Sequence, residues 1–193
     1  MKSTWLAAVV IALLLVAFRI LAHFAGLHSF SPLPAIFLCS VVFLRGRQAW
    51  LLPLGAWLVS NPIMSVLQGS DPLSIIGPEA TAFLTMLAIG LCALALRARP
   101  TALRMLGAGI LAGVLFHAVT GIVGWLAYPV YPKNLIGLEQ SLWSGPAGSA
   151  LPSWIFLRNL VCANIIFTAG FLALWHYMPL TADKAEGAPA AGR

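Results

Sequence analysis

Residues 19–35, from Arg19 to Ala35, read RILAHFAGLHSFSPLPA. The stretch opens with an arginine inside an apolar run, Trp5 to Ala25, and ends in a Ser-Pro-Leu-Pro turn that starts a second apolar run. A guanidinium keeps its charge, and placing it among lipid tails costs at least ~3 kcal/mol, so Arg19 is expected to face protein or water. His23 lies four residues on, on the same helical face. Together they imply a small membrane bundle whose outward half holds a polar pocket near this arginine.

The rest of the chain fits that reading. It has 193 residues, 61% of them hydrophobic and only 8% charged, with a mean hydropathy of +0.94. A soluble domain of this size has no means of hiding so much apolar surface, so the expected partner is the lipid bilayer. The net charge of +6 comes from basic residues set singly or in pairs between apolar runs. That placement reads as membrane topology and gives no nucleic-acid-binding patch. Cys39, Cys92 and Cys162 all fall inside apolar runs without a CxxC spacing. They are expected to be small buried apolar residues, and no metal site or cofactor is implied. Lys2 followed by an apolar run also fits a secretory signal peptide. The run continues past Arg19 without a small-x-small cleavage site, which favours an uncleaved first span.

About 20 residues cross the hydrocarbon core, and that ruler predicts an all-α polytopic protein, a bundle of six transmembrane helices. The spans are about 4–25, 30–44, 49–68, 73–96, 104–126 and 153–177, in one transmembrane domain over 1–178. Pro32 and Pro34 suit a helix start, while Pro53 and Pro62 fall within the third span. Lys2, Arg45, Arg47, Arg97, Arg99, Arg104, Lys184 and Arg193 would lie on one side and Lys133 on the other, with Arg19 and Arg158 within spans. This bias puts both termini in the cytoplasm and the protein in the inner (plasma) membrane. Residues 179–193, rich in Ala, Gly and Pro, are expected to form a disordered cytoplasmic tail. Gly109 and Gly113 make a GxxxG spacing that invites close helix packing. The long connection, about 127–152, would lie on the outer side with a short interfacial helix capped by Asn134.

Once oriented, the intramembrane polar residues fall at one depth. Arg19 and His23 lie toward the outer end of span one, Asn61, Ser65 and Gln68 in the outer half of span three, and Glu79 near the outer end of span four. His117 lies in the outer half of span five, with Arg158 and Asn159 near the outer start of span six. A water-filled outward cavity would collect polar groups at one level in this way. Arg19, His23, Asn61, Glu79, His117, Arg158 and Asn159 are therefore the candidate ligand-binding residues. Each also has a plainer reading. The arginines can snorkel to the interface, the asparagines can bond helices together, His117 can be a packing residue and Glu79 can be solvated or ion-paired. Enzyme signatures such as HExxH, GxSxG and the Walker loop are absent. An intramembrane enzyme assembled from Cys162, His117 and Arg158, or using Ser65, is the least favoured reading, and no catalytic residue is assigned.

Arg19 with FSPLPAIFLCS (30–40), WLLPLGAWLVSN (50–61), WLAYPVYPKNLIGL (125–138), Pro152 and FLRNLVCANIIF (156–167) resembles a family of small bacterial multi-pass membrane proteins of unknown function. The resemblance covers about residues 15 to 175. It departs at Asn61 and Asn164, where the family pattern leads one to expect Asp, so a role needing a carboxylate there is not implied. That family is similar in helix number and hydropathy to the substrate-capture (S) components of energy-coupling-factor transporters. The similarity implies a bundle holding a small molecule in an outward pocket and docking on a coupling subunit with two ATPases. Ala8 and Ala12 match the AxxxA docking spacing of such components. The function expected is binding of a small polar or anionic solute as part of an uptake system, with the 127–152 segment as a lid. The alternatives are a structural or assembly protein without ligand, or the enzyme.

Overall fold

The computed structural model describes residues 16–44, 46–67 and 76–177, together with Leu13 and Gly69. Ala8, Ala12, Gln68 and the tail 179–193 lie outside the described residues, as do Lys2, Arg45, Lys184 and Arg193 of the charge count. All secondary structure among the described residues is helical. Helix α1 covers 16–24. It is followed by α2 (Leu33–Phe43), α3 (Gln48–Leu67) and α4 (Ile76–Ala93), the last extended by a 3-10 turn, Leu94–Ala98. Helix α5 (Ala102–Ala127), the short α6 (Leu135–Glu139) with a π-helical turn at Gln140–Ser144, and α7 (Ser153–Tyr177) complete the set.

Four of these segments are long and apolar enough to cross a membrane: Gln48–Leu67, Glu79–Ala98, Ala102–Ala127 and Ser153–His176. They leave Leu58, Leu84, Leu91, Leu111 and Ile166 exposed on their flanks, which is unfavourable in water and costs nothing against lipid. The chain is an integral membrane protein. Cys92 and Cys162 also lie on these exposed flanks, and only Cys39 is buried as expected. An apolar helix turns some small residues toward lipid as readily as toward its neighbours, so burial of all three did not follow from their setting.

The expected second span is where the architecture departs from six equivalent crossings. Helix α2 has 11 residues and reaches about 16 Å, half of the ~30 Å hydrocarbon core. Leu33 through Val42 are all buried, and α2 touches α3, α4, α5 and α7. It is a central plug with no lipid-facing side. Both buried clusters are built around it. One joins Leu33, Ile36 and Phe37 to Ala49, Leu52 and Met86, and the other joins Leu38, Val41 and Val42 to Ala93 and Met105.

Local chemistry sets where the helices stop. Gly26, at φ +69°, ends α1, with Leu27 N–H on the Ala22 carbonyl at 2.9 Å and Gly26 N–H on the His23 carbonyl at 3.0 Å, the paired closure of a Schellman turn. Pro34 stands in the first turn of α2, where a missing N–H is harmless. At the other end, Arg97 donates Nε to the Val41 carbonyl (2.6 Å) and Nη2 to the Leu44 carbonyl (3.1 Å). A cation there meets the negative end of the helix dipole as well as its unpaired carbonyls. Arg97 thus holds α2, beyond the topological part its charge suggests.

Helices α5 and α7 meet through the glycine stripe. A Cβ on Gly109 would stand 2.7 Å from Thr168 Oγ1, and one on Gly113 would stand 3.3 Å from Val161 Cγ2. The 127–152 connection docks beside them: Ser141 donates to the Gly121 carbonyl (2.6 Å) and Ser153 to the Gln140 carbonyl (3.1 Å). Asn134 accepts from Gly137 N–H (3.0 Å) as the cap of α6. Lys133 closes the end of α5 through the Trp125 and Tyr128 carbonyls.

Two substitutions test this packing. Gly109→Val should lower the thermal midpoint of the purified protein by an amount equivalent to about 1–3 kcal/mol, because Thr168 has to move. Arg97→Ala should cost a similar ~1.5–3 kcal/mol through the lost charge-assisted bonds, and Arg97→Lys should restore part of it. Thermal unfolding followed by circular dichroism in lipid nanodiscs measures both.

Candidate functional site

The centre of the bundle is unfilled beyond the first turn of α2. A cavity of about 690 Å³ opens there, against Leu33 and the 27–31 loop. Five of the seven candidate residues line it: Arg19 and His23 from α1, Asn61 from α3, Glu79 from α4 and His117 from α5. Arg158 and Asn159 do not.

Arg19 is turned inward. Its Nη1 donates to Ser60 Oγ (2.5 Å) and to Asn61 Oδ1 (2.7 Å). Asn61 in turn donates Nδ2 to Glu79 Oε2. One buried carboxamide, 8% exposed, therefore bridges a cation and an anion, its oxygen toward the first and its nitrogen toward the second. The bridge joins α1, α3 and α4. Helix α3 is held in its own turn here, since Ser65 Oγ donates to the Asn61 carbonyl at 2.9 Å. Among the described residues, these bonds use Nη1 of Arg19 and Oε2 of Glu79, and the Trp57 side chain lies beside the same carboxylate.

His117 has two connections. Its Nε2–H donates to the Leu142 carbonyl (3.0 Å), tying α5 to the π-helical turn, and its ring also lines the cavity. The packing and pocket readings of this residue both apply. Thr120, one turn further, spends its hydroxyl on the Phe116 carbonyl at 2.7 Å. The rest of the lining is largely apolar or aromatic, including Trp57, Phe116, Phe156 and Met86. Trp57 stacks on Phe83 with centroids 5.0 Å apart, and its buried Nε1–H, which makes no hydrogen bond of full geometry among the described residues, lies beside the Glu79 carboxylate.

Arg158 and Asn159 act behind the wall. Asn159 Nδ2 donates to the His28 carbonyl (2.9 Å), pinning the 27–31 loop to α7. Arg158 is exposed, lies over Trp154 with its guanidinium carbon 5.4 Å from the ring centroid, and donates Nε and Nη2 to Asn159 Oδ1 (3.2 and 3.0 Å). It orients the asparagine and leaves the cavity to others. The segment over the cavity is correspondingly 27–31, which contributes His28, Ser29 and Ser31 to the lining. The 127–152 connection contributes no lining residue, so its expected part as a lid is not seen. Cys162 lies on an exposed flank and does not line the cavity, so it does not combine there with His117 and Arg158.

Sequence reasoning passed over Ser60, Trp57 and the 27–31 loop. Ser60 adjoins Asn61 in the run WLVSN, and the signal that selects it is the arginine across the interface, which one strand of sequence does not reveal. No group of three or more His, Cys, Asp or Glu among the described residues is arranged to hold a metal ion.

Asn61→Leu should lower the thermal midpoint more than Asn159→Ala does, because it strands a cation and an anion together. The first is expected to cost about 3 kcal/mol or more and the second about 1–2 kcal/mol.

Comparison with curated proteins and with solved structures returns no match. A family model matches residues 1–186, so the chain belongs to the family of unknown function DUF6580.

Proposed function

We propose that this membrane protein binds a small polar or anionic solute in the cavity beyond α2, as part of an uptake system. One observation carries the reading: six polar side chains from four helices, Arg19, His23, Asn61, Glu79, His117 and Thr120, converge on a single cavity inside a largely apolar bundle. Its volume of about 690 Å³ is in the range of small-molecule sites. The arginines support an outward opening. Arg47, Arg97, Arg99 and Arg104 lie at the end where α2 stops and α5 starts, and the cavity lies toward the other end, so the positive-inside bias favours an outward-facing cavity. The hydropathy likeness to S components adds a coupling subunit and its ATPases as the partners of such a system, by analogy.

The runner-up is a structural or assembly protein, favoured by the fact that Arg19, Asn61 and Glu79 already bond to one another. Cysteine accessibility separates the two. In a background with Cys39, Cys92 and Cys162 replaced, His23→Cys and Met64→Cys in intact cells should react with a membrane-impermeant thiol reagent added outside, while Asn159→Cys should not. Failure of both cavity positions to react, in variants shown to be folded, would mean a dry polar layer and return the structural reading.

A further inference from the structure

The cavity wall presents opposite charges joined through Asn61, each with hydrogen-bonding capacity left. Among the described residues Arg19 donates through Nη1, leaving the Nε/Nη2 edge, which offers two parallel N–H groups and fits a carboxylate bidentately. Among the described residues Glu79 accepts from Asn61 through Oε2, with the Trp57 indole beside the carboxylate, and its two oxygens have lone pairs left to accept further. Both groups bond the two ends of one carboxamide, so a single side-chain amide separates them. A purely anionic solute meeting Arg19 would be repelled by Glu79, and a purely cationic one meeting Glu79 would be repelled by Arg19. Only a molecule carrying both charges at a similar spacing is favoured by both. Beyond this pair the lining includes His23, His117 and Thr120 but is mostly apolar, with Trp57, Phe116 and Met86 among its members, a surface that gains by covering an apolar body.

Resting on the solute-binding reading above, we propose that the ligand is a zwitterion of the amino-acid type with an apolar or aromatic side chain. Its carboxylate meets the free edge of Arg19 and its ammonium meets Glu79 beside Trp57. The apolar side chain lies against the aromatic and methionine part of the wall. This narrows the solute class: a ligand with an anionic group alone is disfavoured by the same wall.

The test uses the full-length protein in nanodiscs and three matched sets of probes: L-leucine, L-phenylalanine and L-tryptophan, the amine made by removing the carboxylate of each, and the acid made by removing its amino group. Binding is read by thermal shift and calorimetry, and by protection of the His23→Cys variant from thiol reagent. At least one amino acid should bind, with its amine and acid counterparts about tenfold to a hundredfold weaker, the loss expected for one charge-assisted contact. Glu79→Gln should weaken the amino acid while leaving or improving binding of the acid, and Arg19→Lys should weaken amino acid and acid together while sparing the amine. An acid or an amine binding as tightly as its parent amino acid overturns the zwitterion and leaves solute binding standing. So does binding of an unrelated polar metabolite when none of the nine probes binds. Absence of binding to these and to a broad metabolite panel, with His23→Cys unreactive, overturns both.

Discussion

An 11-residue helix in the middle of a membrane bundle has both its ends inside the protein, and neither end has lipid or bulk water to finish it. Four carbonyls at one end and four amides at the other need partners from the chain itself. The carbonyl end is closed by Arg97, reaching over from the last turn after α4. The amide end is treated differently: proline removes donors there, and the space beyond is left open and lined with polar groups. The cavity therefore follows from where α2 starts. A helix long enough to cross would have filled it.

Within that space Asn61 does what no other residue of similar size does as well. Its amide accepts from a cation and donates to an anion at once. An aspartate at this position, as the family resemblance leads one to expect, would accept from Arg19 but set a second negative charge against Glu79. Asn61 and Glu79 of α4 are best understood as a pair. Asn164 stands in a drier place. It is fully buried, donates Nδ2 to the Leu160 carbonyl at 2.8 Å, and leaves Oδ1 without a hydrogen-bond partner. A charge there would meet a much larger desolvation cost than at 61.

Helix ends and class were readable from the chain because the signals are local. Gly26 closes α1, Pro34 opens α2, and Asn134 caps α6. That Arg19, His23, Asn61, Glu79 and His117 come together was readable too, since position along a helix follows from counting. What a single sequence does not carry is rotation about each helix axis. Arg19 turned inward and Arg158 outward could not be told apart, and Ser60 was hidden because its importance lies in a partner 41 residues away. The run LPAIFLCSVVF is apolar on every face, which suits a lipid-facing span and a buried plug equally. Its length is the distinguishing feature, and length was blurred by the apolar residues of the loop before it.

The brevity of α2 also bears on how the molecule comes together. So short an apolar segment does not hold a transmembrane position by itself, so the seat of α2 depends on the surface that α3, α4, α5 and α7 give it. Docking of Arg97 onto its end and the space left beyond its start both depend on that seat.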